Sequence, residues 1–546
     1  MGFLPELSLP VEMVTDPKTL ERYATDTSFF YLRPQAVLFP RSPDEVAQIV
    51  GYVREHKGED PSLAITPRGA GTDMSGGAIG SSLVLDLTRH MGKILEVQED
   101  EIYVEAGAFF RQVDAATEKV GAFIPSYPAS RELCTVGGMV GNNSGGEKSL
   151  RYGKTEEYVQ ELEVVLSDGG IYRLKPLQGK ELEEALSRED FLGHILRELF
   201  PLLKEHHDLL HRHRPMVTKD STGYHLYRVW DPEKGILDLP QLFVGSQGTL
   251  GVITKIRFRL VKREHYGGLL VGFMDDLSPL GDLVRDLLPL SPTSLESFDR
   301  YTLSLAFKLF PSFRKTLGWR RFLGLGISLL PDAFSLLRRM PELVFLLEFT
   351  SNDETEIGEK LKKAQEVLRK YPGRVQVYPR AKEAEKYWLV RRESFNLLRQ
   401  RVQGKEAVAF IDDLVVPPDY LPEFLPQLEA LMKKYGFLAT IAGHMGNGNF
   451  HLVPLMTWDD PKEQAKIYPA MEEATELVLK YGGSISGEHN DGLLRGPFLE
   501  KMYPPEIMAL FRQVKYLFDP QNIFNPKKKV DASWDYSWAH RKGAGR

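Results

Sequence analysis

Pro67-Arg68-Gly69-Ala70-Gly71-Thr72-Asp73-Met74-Ser75-Gly76-Gly77 is the stretch on which the fold turns. Closely spaced glycines permit positive φ and let backbone N–H groups converge on an anion. A Rossmann site would need a third glycine where Met74 stands and a helix directly after it. Here the chain runs through more glycine into the apolar run Leu83–Leu87, which reads as a strand. That context excludes a Rossmann reading, although the loop alone fits a structural turn equally well.

Two further glycine clusters lie downstream. One is Thr135-Val136-Gly137-Gly138-Met139-Val140-Gly141-Asn142-Asn143-Ser144-Gly145-Gly146, read as a second loop, and the other is Gly245-Ser246-Gln247-Gly248-Thr249-Leu250-Gly251. Around them, from about residue 37 to 260, short β-rich runs alternate with turns. Ser62–Thr66, Leu83–Leu87 and Ile102–Ala106 read as strands, Arg111–Val120 as a helix, and Leu162–Leu166 with Ile171–Leu174 as a hairpin. Two long glycine loops in one β-rich domain suit a dinucleotide, with its pyrophosphate at one place and its ring system at another.

From about residue 267 to 485 longer helices such as Glu354–Lys370 and Leu421–Tyr435 alternate with strands, which predicts a second α+β domain. The final helix is predicted near Pro505–Phe518, with Ile507, Leu510, Phe511, Val514 and Leu517 on one face. The expected division is a leader over 1–34, a first domain over 35–262, a second over 263–490, a C-terminal helical segment over 491–530 and a flexible tail over 531–546.

The densest chemistry sits in Gly443-His444-Met445-Gly446-Asn447-Gly448-Asn449-Phe450-His451. Asn-Gly is the preferred centre of a two-residue type I′ hairpin. Such a turn at Asn447-Gly448 would pair His444 with His451 on one face, so that two imidazoles share one metal ion; a longer loop would change the pairing. Ser484-Ile485-Ser486-Gly487-Glu488-His489-Asn490 then brings a carboxylate and an imidazole to the end of a short apolar strand.

The runs PRGAGTDMSGG, TVGGMVGNNSGG and LFVGSQGTLGVIT, in that order, resemble the FAD-binding domain of the vanillyl-alcohol oxidase / p-cresol methylhydroxylase flavoproteins. Within that superfamily the similarity is to the D-lactate dehydrogenase, glycolate oxidase D-subunit and D-2-hydroxyglutarate dehydrogenase branch, over roughly residues 35–528. The resemblance implies an α+β protein: a two-part FAD-binding domain, an α+β substrate (cap) domain and a C-terminal helical segment. It implies non-covalent FAD held by Pro67, Arg68, Gly69, Ala70, Gly71, Thr72 and Asp73 at the pyrophosphate. Thr135, Gly137, Gly138, Asn142, Gly145, Gly146, Ile253 and Asn525 complete the implied cofactor set.

By the same resemblance His444, His451 and Glu488 correspond to ligands of a divalent metal, zinc first with manganese or iron as alternatives. His489 corresponds to the catalytic base, and Arg391, in Trp388-Leu389-Val390-Arg391, to the group that neutralises the substrate carboxylate, with the adjacent Arg392 as the alternative. The implied activity is oxidation of a D-2-hydroxy acid to the 2-oxo acid, with hydride passing from C2 to flavin. Asn447, Gln247 and Asn490 depart from the usual acidic, acidic and glycine residues of the family, and none is an expected ligand. Val453, where hydroxyglutarate enzymes carry a polar contact, favours a small acid such as lactate or glycolate. The alternatives are a non-redox transferase resembling alkylglycerone-phosphate synthase and an electron-transfer flavin subunit.

Composition sets the outer limits. The chain has 546 residues, 42% hydrophobic and 26% charged, with a net charge of -6 and a pI near 6.2, which gives no electrostatic case for nucleic acid. Its single cysteine, Cys134, cannot ligate an iron–sulfur cluster, so any such cluster belongs to a partner. The expected electron acceptor is a quinone, an electron-transfer flavoprotein or an iron–sulfur partner. No secretory signal is read, and the expected location is the cytoplasm. Residues 314–340, rich in Leu, Phe and Arg, read either as a peripheral membrane or partner surface on the cytoplasmic side or as buried helices. His206, His207, His211 and His213 read as a solvated helix.

Overall fold

The computed structural model describes residues 11–308, 340–398 and 405–544, and within them the chain builds three main sheets around two large apolar cores. The 314–340 surface lies, except for Met340, outside the described residues. Among the described residues no helix is long and apolar enough to cross a membrane.

The first sheet has the order β1 (Glu12–Val14), β2 (Ala36–Phe39), β4 (Leu83–Asp86), β3 (Ile65–Arg68), with β2, β4 and β3 parallel. Every residue of Leu83–Asp86 is buried, which is why that strand reads as an unbroken apolar run rather than an alternation. The strand expected over Ser62–Thr66 is shifted onward to Ile65–Arg68, so it delivers its end straight into the first glycine loop. The second sheet is antiparallel, in the order β5 (Ile94–Val97), β6 (Glu101–Glu105), β9 (Val252–Arg259), β7 (Val159–Val165), β8 (Ile171–Leu174).

The cap domain is one eight-stranded sheet. Its order is β13 (Arg374–Tyr378), β10 (Tyr266–Met274), β12 (Leu343–Ser351), β11 (Ser294–Asp299), β16 (Leu438–His444), β17 (Asn449–Met456), β14 (Glu406–Ala407), with β15 (Leu414–Val415) also pairing β17. The helices Glu354–Leu368 and Leu421–Tyr435 contribute Ile357, Leu361, Phe424 and Leu428 to its core.

Four expectations are corrected here. The leader is no separate piece, because Glu12–Val14 adds an antiparallel strand to the first sheet. The second glycine cluster is a helix, Val136–Asn142, capped by the Thr135 side chain at Gly138 N; its apolar residues Val136, Met139 and Val140 follow helical spacing and are buried. The C-terminal segment belongs to the first domain. Helix Pro505–Phe518 buries Ile507, Leu510, Phe511 and Val514 in that core, and the chain then bonds back to Ile65 from Ile523 and Asn525.

The tail is packed rather than loose. Trp534 and Trp538 stack in the helix Trp534–Ala539, Trp534 also touches Phe498 and Tyr468, and Lys542 bonds to Phe29 O and accepts from Trp458. The lysines just before it are buried too: Lys528 donates to Ile79 O, and Lys529 to Gly223 O and Asp491.

Candidate active site

The first glycine loop is shaped from beneath. Arg68 spends its guanidinium on the carbonyls of Tyr23, Thr25 and Ala78, and Asp73 accepts from Ser75 N and Gly77 N. Asn525 donates to Gly77 O and Gln247 O. All three expected cofactor contacts also brace the loop. Among the described residues the backbone N–H groups of Gly69, Ala70, Gly71 and Thr72 have no hydrogen-bond partner, and the loop is only partly buried. A row of free donors on a fixed loop fits a pyrophosphate. Gly69 is required by close approach, since a Cβ there would lie 2.2 Å from Thr135 Oγ1, the cap of the glycine-rich helix.

That helix leads to the second half of the site. Asn142 donates to Glu488 O at 2.7 Å, and a Cβ on Gly145 would come within 3.0 Å of Glu488 Oε2. Asn490, at φ 67, ties Asn142 O and Gly245 O together through its amide, and asparagine tolerates the left-handed backbone. Gly138 and Gly146 lie along the same turn and helix, whereas Ile253 is a buried residue of β9 paired with Val164.

The two histidines come from the β16–β17 hairpin, with a register different from the expected one. Met445–Asn447 forms a short 3-10 turn closed by Gly448, so His444 pairs with Asn449 and His451 pairs with Ala442. A shift of two residues keeps both histidines on one face, because side chains alternate with period two. Their rings lie 5.2 Å apart.

Glu488 closes the constellation. Its Oε1 is 2.9 Å from His444 Nε2 and 3.4 Å from His451 Nε2. Ligand atoms on a tetrahedral zinc at ~2.0–2.2 Å lie roughly 3.3 Å apart, and the two contacts to Glu488 Oε1 have separations of that kind. Each ring is oriented through its other nitrogen: His444 Nδ1 at Glu296 Oε1, 2.7 Å, and His451 Nδ1 at Asp412 Oδ1, 3.0 Å. His489 stacks on His451 at 4.9 Å, and its Nδ1 lies 2.7 Å from Asp412 Oδ2, within ion-pair reach though off the hydrogen-bonding direction.

Asp413, Glu488, His451 and His489 also place ligand atoms within 4.8 Å of one another. Asp413, however, is already committed. It accepts from Ser486 Oγ, Glu488 N and His489 N through Oδ2 and from Asn449 through Oδ1, and it holds φ 74 to do so. Backbone strain on the order of 1–3 kcal/mol is offset by those four donors. His444, His451 and Glu488 form the other grouping, in which both imidazoles face one carboxylate oxygen.

The electrostatics favour positive charge. Burial opposes ionisation of Asp412 and Glu488, yet their histidine neighbours, with Lys219 beside Glu488, hold both carboxyls well below the usual range. Burial likewise opposes protonation of His489, and Asp412 and Asp413 outweigh it, so its pKa is raised. The surroundings thus stabilise the ring after it has taken a proton.

Arg391, expected to meet a substrate carboxylate, lies buried with Nη2 3.4 Å from Glu296 Oε2, the carboxylate that orients His444. Arg392 instead grips Glu147 of the first domain, with Nε 3.0 Å from Oε2. Burial alone would raise the Glu147 pKa; Arg392, then Lys148 and Arg131, hold it down at about 2. A depressed carboxylate stabilises the fold above its unfolded pKa of ~4.3 and loses that contribution as pH falls toward the folded value. Glu147→Gln is therefore expected to cost on the order of 2 kcal/mol at pH 6, with the gap to the parent protein closing between pH 4.5 and 2 in denaturant titrations. A gap that does not vary with pH would remove this ion pair as the cause.

Glu296, Asp412, Asp413 and Lys219 are site residues that sequence reasoning missed. The adjacent acids after the apolar run Val408–Ile411 were the available signal. Of the four weaker histidines, His207 and His211 lie with ring centres 4.3 Å apart on the helix His207–Arg212.

Two family models match the chain: "FAD binding domain" over residues 34–175 and "FAD linked oxidases, C-terminal domain" over residues 270–529. Among curated relatives, D-2-hydroxyglutarate dehydrogenase of Escherichia coli (strain K12) is 28% identical over 92% of this chain and 49% of its own length. The chain spans about half the length of the first such relatives it matches. D-lactate dehydrogenase of Archaeoglobus fulgidus is 29% identical over 97% of this chain and 99% of its own. Among solved structures, p-cresol methylhydroxylase with substrate bound has a TM-score of 0.66 at 16% identity, covering 95% of this chain and 94% of that one. Alkyldihydroxyacetonephosphate synthase has a TM-score of 0.64 at 16% identity, covering 96% and 84%. Both share the fold.

Proposed function

Because the chain belongs to the FAD-linked oxidases, with an FAD-binding domain and the matching C-terminal domain, we propose that it oxidises a small D-2-hydroxy acid to the 2-oxo acid at a divalent-cation centre formed by His444, His451 and Glu488. One observation carries the reading: two imidazole Nε2 atoms meet one oxygen of Glu488 directly beside His489 and against the glycine turn at Gly145. The names of the relatives, D-2-hydroxyglutarate and D-lactate dehydrogenases, support the substrate class.

Bound FAD supplies the two-electron acceptor, and a bound divalent cation, zinc by preference, supplies a Lewis acid at the substrate oxygens. The protein's own groups do the rest. With Nδ1 turned to Asp412, His489 accepts the substrate hydroxyl proton at Nε2, and Asp412 and Asp413 favour the protonated ring. Glu296 and Asp412 fix the tautomers that leave His444 Nε2 and His451 Nε2 as donors to a cation. Arg391, on the far oxygen of Glu296, places a guanidinium beside the cradle, suited to the substrate carboxylate.

Val453 is buried two residues beyond His451 on the same strand face, so that wall is apolar. A dicarboxylate gains no polar partner from it, and lactate or glycolate suits it better. Anaerobic mixing of the FAD-loaded protein with D-lactate, glycolate, D-2-hydroxyglutarate and the L-isomers tests this. Bleaching of the flavin by D-lactate or glycolate, with the L-isomers inert, is expected. Preference for an L-acid, or no bleaching by any of them, would contradict the proposal.

A further inference from the structure

We propose that Lys219 fixes Glu488 as a single-oxygen ligand and so keeps coordination positions open for a chelating substrate; this rests on reading the site as a cation centre. Lys219 comes from the first domain, and its side chain is fully buried. Its Nζ lies 2.7 Å from Glu488 Oε2 and 3.4 Å from Asn449 Oδ1. The two carboxylate oxygens are thereby divided: Oε2 belongs to the lysine, and Oε1 faces His444 and His451.

The division is built into the backbone. The segment Lys219–Ser221 is laced to the loop Ser484–Glu488. Ser484 Oγ donates to Asp220 Oδ1 at 2.7 Å, and Ser221 N donates to Ser486 O at 2.9 Å. A second buried lysine, Lys154, donates to Ser221 Oγ and to Gly487 O, bracing the peptide just before the ligand. On the other side of Oε2 the chain packs at Gly145, where even a Cβ would lie 3.0 Å away. Lys219 holds Oε2 on the side away from the histidines, which leaves Oε1 to them.

The chemical consequence follows from coordination. A 2-hydroxy acid binds a cation through its hydroxyl and a carboxylate oxygen, which needs two adjacent open positions. A glutamate binding through both oxygens would fill one of them. A lysine on Oε2 also draws charge from the carboxylate, leaving a stronger Lewis acid. A buried ammonium needs an ion-pair partner, and here that partner is the ligand itself. Lys219 is thus a positioning residue that acts through Glu488.

Cobalt(II) reads coordination directly through its visible absorption, which is intense at low coordination number and weak when six-coordinate. The FAD-loaded parent protein and Lys219→Met are stripped with chelator, reloaded with Co²⁺, and compared in spectrum, in stoichiometry and in competition with chelator. Retained FAD and an unchanged melting temperature confirm folding. The parent should take one Co²⁺ per chain with an intense band that D-lactate perturbs. In Lys219→Met the ion should be held at least as tightly, the band should weaken at least about twofold, and D-lactate should no longer shift it.

A variant spectrum equal to the parent's, or loss of the ion from the variant, overturns the role of Lys219. A weak, six-coordinate band in the parent itself overturns it even if the variant does not fold. A parent that takes up no Co²⁺ brings down the cation centre, and this inference with it.

Discussion

His489→Ala is expected to slow flavin reduction by a 2-hydroxy acid about 10²–10⁴-fold while FAD remains bound. The magnitude is that of removing a positioned general base. FAD should stay because the free donors of its loop, Gly69 to Thr72, lie on the strand end at Arg68, braced by Asp73 and Asn525 rather than by His489. Stopped-flow absorbance under anaerobic conditions measures the effect, and the retained flavin spectrum controls for folding. Part of the loss has a structural route as well, since the ring stacks on His451. Elemental analysis separates the two: the variant should keep its cation. Reduction at the parent rate would remove His489 as the base.

His444→Ala should have the opposite signature, losing the cation as well as the activity. Its Nε2 shares Glu488 Oε1 with His451, and its Nδ1 is held by Glu296, so no neighbour can replace it without rebuilding the hairpin. Affinity for Zn²⁺ should fall at least about 10²-fold, more than the loss of an outer-shell partner causes. The choice of residue is deliberate. His444 does not belong to the grouping of Asp413, His451, Glu488 and His489, so a variant that binds metal at full affinity would place the ion in that second set.

Much of this site is legible in the chain because its parts are local. The spacing of His444 and His451 across an Asn-Gly turn, and the adjacency of Glu488 and His489, sit within a few residues of each other. The turn itself was misjudged. Asn447 and Gly448 occupy the end of a four-residue connection rather than a two-residue one, and the error left the histidine face unchanged only because it shifted the register by two.

The glycine cluster after Thr135 reads as a loop from its closely spaced glycines, yet the Thr cap and the i, i+3, i+4 spacing of Val136, Met139 and Val140 are the marks of the helix it forms. The partners that orient the site were beyond reach. Glu296 reaches His444 from another strand, Asp412 serves His451 and His489 from a distant loop, and Lys219 crosses from the first domain. Such contacts follow from sheet order, which periodicity does not encode. Arg391 was recognised by motif, but only packing reveals its pairing with Glu296.

The most direct test is a crystal structure of the FAD-loaded protein grown with Zn²⁺, with anomalous data collected at the zinc edge. A single strong peak is expected about 2.0–2.2 Å from His444 Nε2, His451 Nε2 and one oxygen of Glu488, with the flavin ring packed against the Gly145 turn. A peak on Asp413 and His489 instead, no peak at these side chains, or a flavin ring remote from Gly145 would contradict it.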